Sequence, residues 1–123
     1  MIQIAIMGLG TVGTGVAKVV EEHDLLVLSD EIYSELTYGG VDHTSIAAMP
    51  GMAERTVVIN GFSKTYSMTG WRLGYVAAPE AYIAVLNKFH QHNTTCAPSF
   101  VQTASVAALR DEKNEVNDMV KEY

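Results

Sequence analysis

Residues 56–77 read TVVINGFSKTYSMTGWRLGYVA. The run over residues 56–60 is rich in β-branched side chains and predicts a strand. The apolar run over residues 73–77 predicts a second strand, and a polar segment rich in hydroxyl groups connects the two. The carboxyl end of the first of these strands therefore delivers Ser63 and Lys64 to the edge of a sheet.

Two apolar runs upstream, residues 2–7 and 25–28, predict further buried strands. Between them, valines recur at helical spacing and predict a helix that begins at residue 11 or 14 and ends near residue 22. The order strand, helix, strand is typical of a right-handed βαβ unit. The amino-terminal half of the chain is therefore predicted to be α/β.

Outside the predicted strands, the sequence mainly predicts helices. Residues 45–49 fit a single helical turn that Pro50 stops. One helix begins near Pro79, where the missing N–H costs nothing, and a second begins at the N-cap Ser99. Residues 111–123 predict a charged helix with a thin apolar stripe, which suits a helix whose partner is absent. The apolar stripes comprise Tyr82, Ile83, Leu86 and Phe89; Val101, Ala104, Ala108 and Leu109; and Val116, Met119 and Val120.

Composition limits the class of protein. The chain has 123 residues, which predicts one domain, and a formal net charge of −6, which argues against binding to nucleic acid or an anionic membrane. No apolar run approaches the ~20 residues that span a bilayer, and no signal peptide is indicated. Cys96 is the only cysteine, so a cytoplasmic protein without disulfides is expected, with Cys96 as a plain loop thiol. No metal site is predicted.

A glycine turn, Gly8-Leu9-Gly10-Thr11-Val12-Gly13, follows the first predicted strand. Glycines at this spacing allow a tight turn, close approach of the backbone to a phosphate, and close packing of helix on strand. Residues 1–22 resemble the amino-terminal βα element of homoserine dehydrogenases, which implies a dinucleotide turn at Gly8, Gly10 and Gly13. Asp30 has the spacing of a ribose-binding carboxylate. No nicotinamide half-site follows, however, so a turn that merely packs well is favoured and NAD(P) binding is disfavoured.

A second signature combines residues 23–33, HDLLVLSDEIY, with residues 61–72, GFSKTYSMTGWR. With these segments, residues 23–123 resemble the large domain of fold-type I (class I/II) aminotransferases, which use pyridoxal phosphate (PLP). The resemblance implies that Lys64 forms the Schiff base with PLP. Asp30 would pair with the pyridinium nitrogen and Tyr33 with the 3′-oxygen, and Ser63 and Arg72 would bind the phosphate.

Each of these residues also has a plainer interpretation. An aspartate after a strand often caps the next turn, a loop lysine is usually solvated, and an arginine after Trp71 often stacks on it. Only their joint order and spacing favours the aminotransferase resemblance. Gly61 stands where many family members have a further phosphate-binding serine. The family's upstream phosphate turn and its arginine for the substrate carboxylate are also not evident.

Two resemblances in one chain predict an artificial or recombined α/β chimera without a complete active site and without evolved catalytic activity. The alternatives are a residual PLP-binding module that acts through Lys64 and, more weakly, a dinucleotide-binding half-domain. The expected fold is one three-layer domain over residues 1–123. Its mainly parallel four-stranded sheet would have the order 1-2-3-4, strand 4 antiparallel and helices on both faces. Exposed edge strand 1, or exchange of an element, should cause self-association.

Overall fold

The computed structural model describes residues 11–110 and 114–123. These residues form a mixed α/β fold with four α-helices and a three-stranded sheet. The helices are α1 (Thr11–Glu22), α2 (Glu80–Asn93), α3 (Ser99–Arg110) and α4 (Asn114–Glu122); the strands are β1 (Val27–Asp30), β2 (Thr56–Gly61) and β3 (Gly74–Ala77); and short 3₁₀ turns cover Ile46–Ala48, Ala53–Arg55 and Thr69–Trp71.

The described strands lie in the order β1-β2-β3. β1 and β2 are parallel, with Asp30 beside Ile59, whereas β3 runs antiparallel to β2 and places Gly74 beside Gly61. Because β1 and β2 are parallel, their carboxyl ends meet at one edge of the sheet. The predicted strand over residues 2–7 lies outside the described residues, so the four-stranded order remains a prediction.

The core lies between α1, β1 and the segment that precedes β2. Ala17 and Val20 of α1 are buried against Val27 of β1, together with Ile46 and Met52. The valine spacing predicted the helix, but its predicted buried face is only partly right: Val20 is buried and Val16 partly so, whereas Val19 is 43% exposed because the buried face is centred on Ala17 and Val20. The buried Thr56 hydroxyl donates to the Met52 carbonyl at 2.7 Å, which satisfies a polar group at the start of β2.

The carboxyl-terminal half is much more open. All four residues of β3 are exposed, and none of the residues of α2 is buried. The predicted apolar stripe of α2 is present in the helix, but Phe89 is 71% exposed because nothing in the described chain covers it. Helices on both faces of the sheet therefore remain a prediction.

The last two helices each bury one residue of their predicted stripes, Val101 in α3 and Val116 in α4. Leu109, another predicted stripe residue, is exposed. Cys96 is exposed in the segment between α2 and α3, as expected of a loop thiol. Among the described residues, no helix is long and apolar enough to cross a membrane.

Candidate functional site

The segment that follows β2 is a tight, hydrogen-bonded turn around Lys64. The Phe62 carbonyl accepts the N–H groups of Tyr66 at 3.2 Å and Met68 at 3.4 Å. The Lys64 carbonyl accepts the Ser67 N–H at 3.2 Å. Because these bonds use its backbone polar groups locally, the turn can hold Lys64 at a fixed position after the strand.

Two inward side chains anchor this turn. Phe62 and Thr65 are buried, whereas Ser63 and Lys64 are only half-buried. The Phe62 ring stacks on Tyr66 with 5.5 Å between centroids and meets the edge of Tyr75 at 6.1 Å. Packing on one side therefore leaves Ser63 and Lys64 facing the other side.

A cleft of about 410 Å³ opens beside Lys64. This volume lies within the range of ~300–1,000 Å³ typical of small-molecule sites. The walls of the cleft are formed by Leu36, Tyr38, Ser63, Lys64, Ser67, Thr69 and Tyr123. One ammonium group surrounded by hydroxyl groups can hold an anionic ligand, because each hydroxyl donates a hydrogen bond and the lysine supplies charge.

Tyr33, one of the predicted site residues, lies close to Lys64 in the folded chain. The Lys64 ammonium nitrogen lies 5.5 Å from the centroid of the Tyr33 ring, within the range of a cation–π contact. Tyr33 is exposed and follows β1, so the parallel pairing of β1 with β2 brings the two residues together.

Asp30 ends β1 but is not among the residues that line the cleft. Its carboxylate accepts the Ile32 N–H at 3.2 Å, which is an Asx-type turn and matches the plainer interpretation of this residue. Among the described residues, Asp30 forms no ion pair with Lys64. The geometry therefore places Asp30 at the same edge of the sheet as Lys64 without joining the two.

Arg72 has a left-handed backbone conformation, with φ 54° and ψ 48°. Its guanidinium donates to the Thr69 carbonyl at 3.0 Å, and the Thr69 hydroxyl donates to the Ser63 carbonyl at 3.0 Å. Arg72 is thus tied to the Lys64 turn through Thr69, which itself lines the cleft. The neighbouring Trp71 packs against Phe100, with 6.4 Å between ring centroids.

Sequence reasoning missed the contribution of α4 to the site. The Ser67 hydroxyl lies 2.8 Å from the Tyr123 hydroxyl and donates to the Met119 sulfur at 3.4 Å. The carboxyl-terminal helix, predicted to lack a partner, therefore contacts the Lys64 turn. The hydroxyl-rich composition could have indicated Ser67 and Thr69. No sequence signal links Tyr123 to residues so distant in the chain.

The glycine turn contributes nothing to this cleft in the part of the chain that the structure describes. Gly8 and Gly10 lie outside the described residues, and Gly13 lies within α1. Within the same part, no group of three or more His, Cys, Asp or Glu side chains is placed to hold a metal ion.

Comparison with known proteins identifies the family. The family model for aminotransferase class I and II matches residues 14–123. The chain belongs to the class I and II aminotransferase family. It is 52% identical over 110 residues to an aspartate aminotransferase of Pyrococcus abyssi, covering 88% of this chain and 28% of that protein. An aromatic-amino-acid aminotransferase of Thermococcus litoralis is 49% identical over 110 residues, again covering 88% of this chain and 28% of the relative.

Solved structures agree with this assignment. The crystal structure of an aromatic aminotransferase from Pyrococcus horikoshii OT3 superposes with a TM-score of 0.87 at 48% identity, covering 94% of this chain and 32% of that one. This chain spans about 28% of the length of the two curated relatives from Pyrococcus abyssi and Thermococcus litoralis. PLP is the cofactor of this family.

These matches overturn the predicted chimera. An artificial fold without evolved activity does not agree with 52% identity over 88% of the chain. The family match also begins at residue 14, inside the segment 1–22 assigned to a dehydrogenase, and the dehydrogenase origin finds no support. Ala17 and Val20 of that segment pack on Val27, so α1 is part of the aminotransferase core. A six-residue glycine turn is too short a pattern to establish ancestry, because many βα units need one.

Proposed function

We propose that this chain is a cofactor-binding portion of an aminotransferase and that Lys64 is the residue that holds PLP. The observation that carries the proposal is the position of Lys64 in a cleft of about 410 Å³ whose other walls supply hydroxyl groups. The family assignment supports PLP as the ligand, because members of this family use it.

The described residues suit PLP in part. Ser63, Ser67 and Thr69 offer hydroxyl donors for a phosphate, and Lys64 offers the amine. Tyr33 lies beside that amine and would bind the 3′-oxygen. Arg72 could add charge by leaving the Thr69 carbonyl, and Asp30 would serve the pyridine nitrogen from the end of β1.

When bound, PLP supplies an electron sink that stabilises negative charge on the substrate carbon. The protein residues would position the cofactor and exchange protons with it. We propose amino-group transfer between an amino acid and a keto acid for a protein that contains this chain within the full length of the family. The relatives include enzymes named for aspartate and for aromatic amino acids, and the described cleft does not favour either substrate.

A titration with PLP tests the cofactor proposal. Visible absorbance of the imine should rise with saturation in the wild-type chain and be lost in Lys64→Ala. Lys88→Ala is the matched control, because Lys88 is an exposed residue of α2, outside the residues that line the cleft. Equal spectra for the wild type and Lys64→Ala would refute the assignment.

A further inference from the structure

Glu31 follows β1 and is a buried carboxylate, with a side chain that is only 7% exposed. One carboxylate oxygen accepts the hydroxyls of Ser29 at 3.0 Å and Ser45 at 2.6 Å. The other lies 3.2 Å from Nε2 of His43. A carboxylate that is removed from water is stable only when hydrogen-bond donors replace the water, and these side chains provide them.

These bonds close a loop in the chain. Residues 32–44 leave the sheet after Glu31 and return at Ser45, where the hydroxyl also accepts the Ala47 N–H at 3.2 Å. The next residue, Ile46, belongs to the buried core. Glu31 thus fastens the returning end of the loop to the strand end from which the loop departs.

The closed loop forms part of the candidate site. Leu36 and Tyr38 line the cleft beside Lys64, and Tyr33 places its ring near the Lys64 amine. A second contact, from the Asn60 side-chain amide to the Ser34 hydroxyl at 3.1 Å, holds only the beginning of the loop. The Glu31 bonds hold the returning end of the loop, and they thereby support the cleft wall beyond Ser34.

We propose that Glu31 is a positioning residue for the Lys64 cleft and that it acts by fastening residues 32–44 through Ser45 and His43. The identity of the ligand as PLP rests on the proposed function, whereas the role of Glu31 in holding the loop does not depend on it. Glu31 would not touch the ligand. Its effect would reach the ligand through Leu36 and Tyr38.

Hydrogen exchange without added cofactor tests the loop directly. The Leu36 N–H donates to the Tyr33 carbonyl at 3.0 Å and reports on the loop, and the Leu25 N–H donates to the Val20 carbonyl at 2.9 Å and reports on the core. In Glu31→Ala, exchange at Leu36 should rise by about tenfold, the lower end of the effect expected for hydrogen bonds to a charged group. Exchange at Leu25 should stay unchanged. Glu54→Gln is the charge-matched control, because Glu54 is exposed.

A conservative variant separates positioning from bulk destabilisation. Glu31→Gln retains one acceptor oxygen for the two serines, so it should restore most of the Leu36 protection. In a PLP titration, Glu31→Ala should weaken binding and Glu31→Gln should restore it. Unchanged exchange at Leu36 in folded Glu31→Ala would overturn the proposal.

A second variant and the wild-type PLP titration separate failure of this proposal from failure of the proposed function. If Glu31→Ala does not fold, His43→Ala removes a single donor and must accelerate exchange at Leu36 but not at Leu25; otherwise the proposal fails. If the wild-type chain does not bind PLP, the proposed function fails, while the exchange result still decides the role of Glu31.

Discussion

The pairing of β2 with β3 depends on the absence of a side chain at Gly61. A Cβ atom built at Gly61 would lie 2.9 Å from the Gly74 Cα, 3.0 Å from the Leu73 carbonyl oxygen and 3.3 Å from Cδ1 of Ile32. The first two are backbone atoms, so no change of rotamer can relieve the contact. Gly61→Ala must therefore push the two strands apart.

Two opposing effects determine how much Gly61→Ala changes the free energy of unfolding. Overpacking of a closely packed site costs about 1–3 kcal/mol, and a rigid backbone contact belongs to the upper part of this range. Replacing glycine by alanine also restricts the unfolded chain, which stabilises by about 0.4–1 kcal/mol. We therefore expect Gly61→Ala to lower the free energy of unfolding by about 1–2 kcal/mol.

Urea denaturation followed by circular dichroism measures this difference. Gly70→Ala is the matched control, because a Cβ at Gly70 meets nothing within 4 Å. Its unfolding midpoint should equal or exceed that of the wild type. Equal midpoints for Gly61→Ala and Gly70→Ala would refute the packing argument. Gly61→Ser carries the same Cβ and should be destabilised as well.

Two other predictions concern the core and the open surface. Met52 is 2% exposed in the α1–β1 core, so Met52→Ala should lower the free energy of unfolding by about 2–5 kcal/mol, whereas Met52→Leu should cost less than about 1.5 kcal/mol. Equal urea midpoints for these two variants would contradict the assignment of Met52 to the core. The exposed apolar residues Val85 and Phe89 of α2 should promote self-association, so light scattering should give a mass that rises with concentration. A constant monomer mass at high micromolar concentration would refute this expectation.

The regular elements were predictable because their sequence patterns are local. The β-branched run at residues 56–60 predicted β2, and Pro79 marked the beginning of α2. The order and direction of the described strands also follow the family resemblance. The exposure of Phe89 was not predictable, because burial depends on what packs against a helix rather than on the spacing within it.

Part of the candidate cleft could be predicted, because two of its residues lie in one sequence motif. Ser63 and Lys64 line the cleft, and the same motif contains Arg72, whose guanidinium instead donates to the Thr69 carbonyl three residues earlier. The Glu31 and His43 pair and the contact of Tyr123 with Ser67 join residues far apart in sequence. No periodicity or spacing encodes such contacts. They follow only from the folded arrangement.

Chemical labelling can show whether Lys64, rather than any other lysine, holds the cofactor. Incubation with PLP, reduction with borohydride and peptide mapping by mass spectrometry test this assignment most directly. We expect the pyridoxyl group on Lys64 at low PLP concentration, while the exposed Lys18, Lys88 and Lys121 remain unlabelled. A label distributed evenly over the lysines, or absent from Lys64, would contradict the assignment of Lys64 as the cofactor-binding residue.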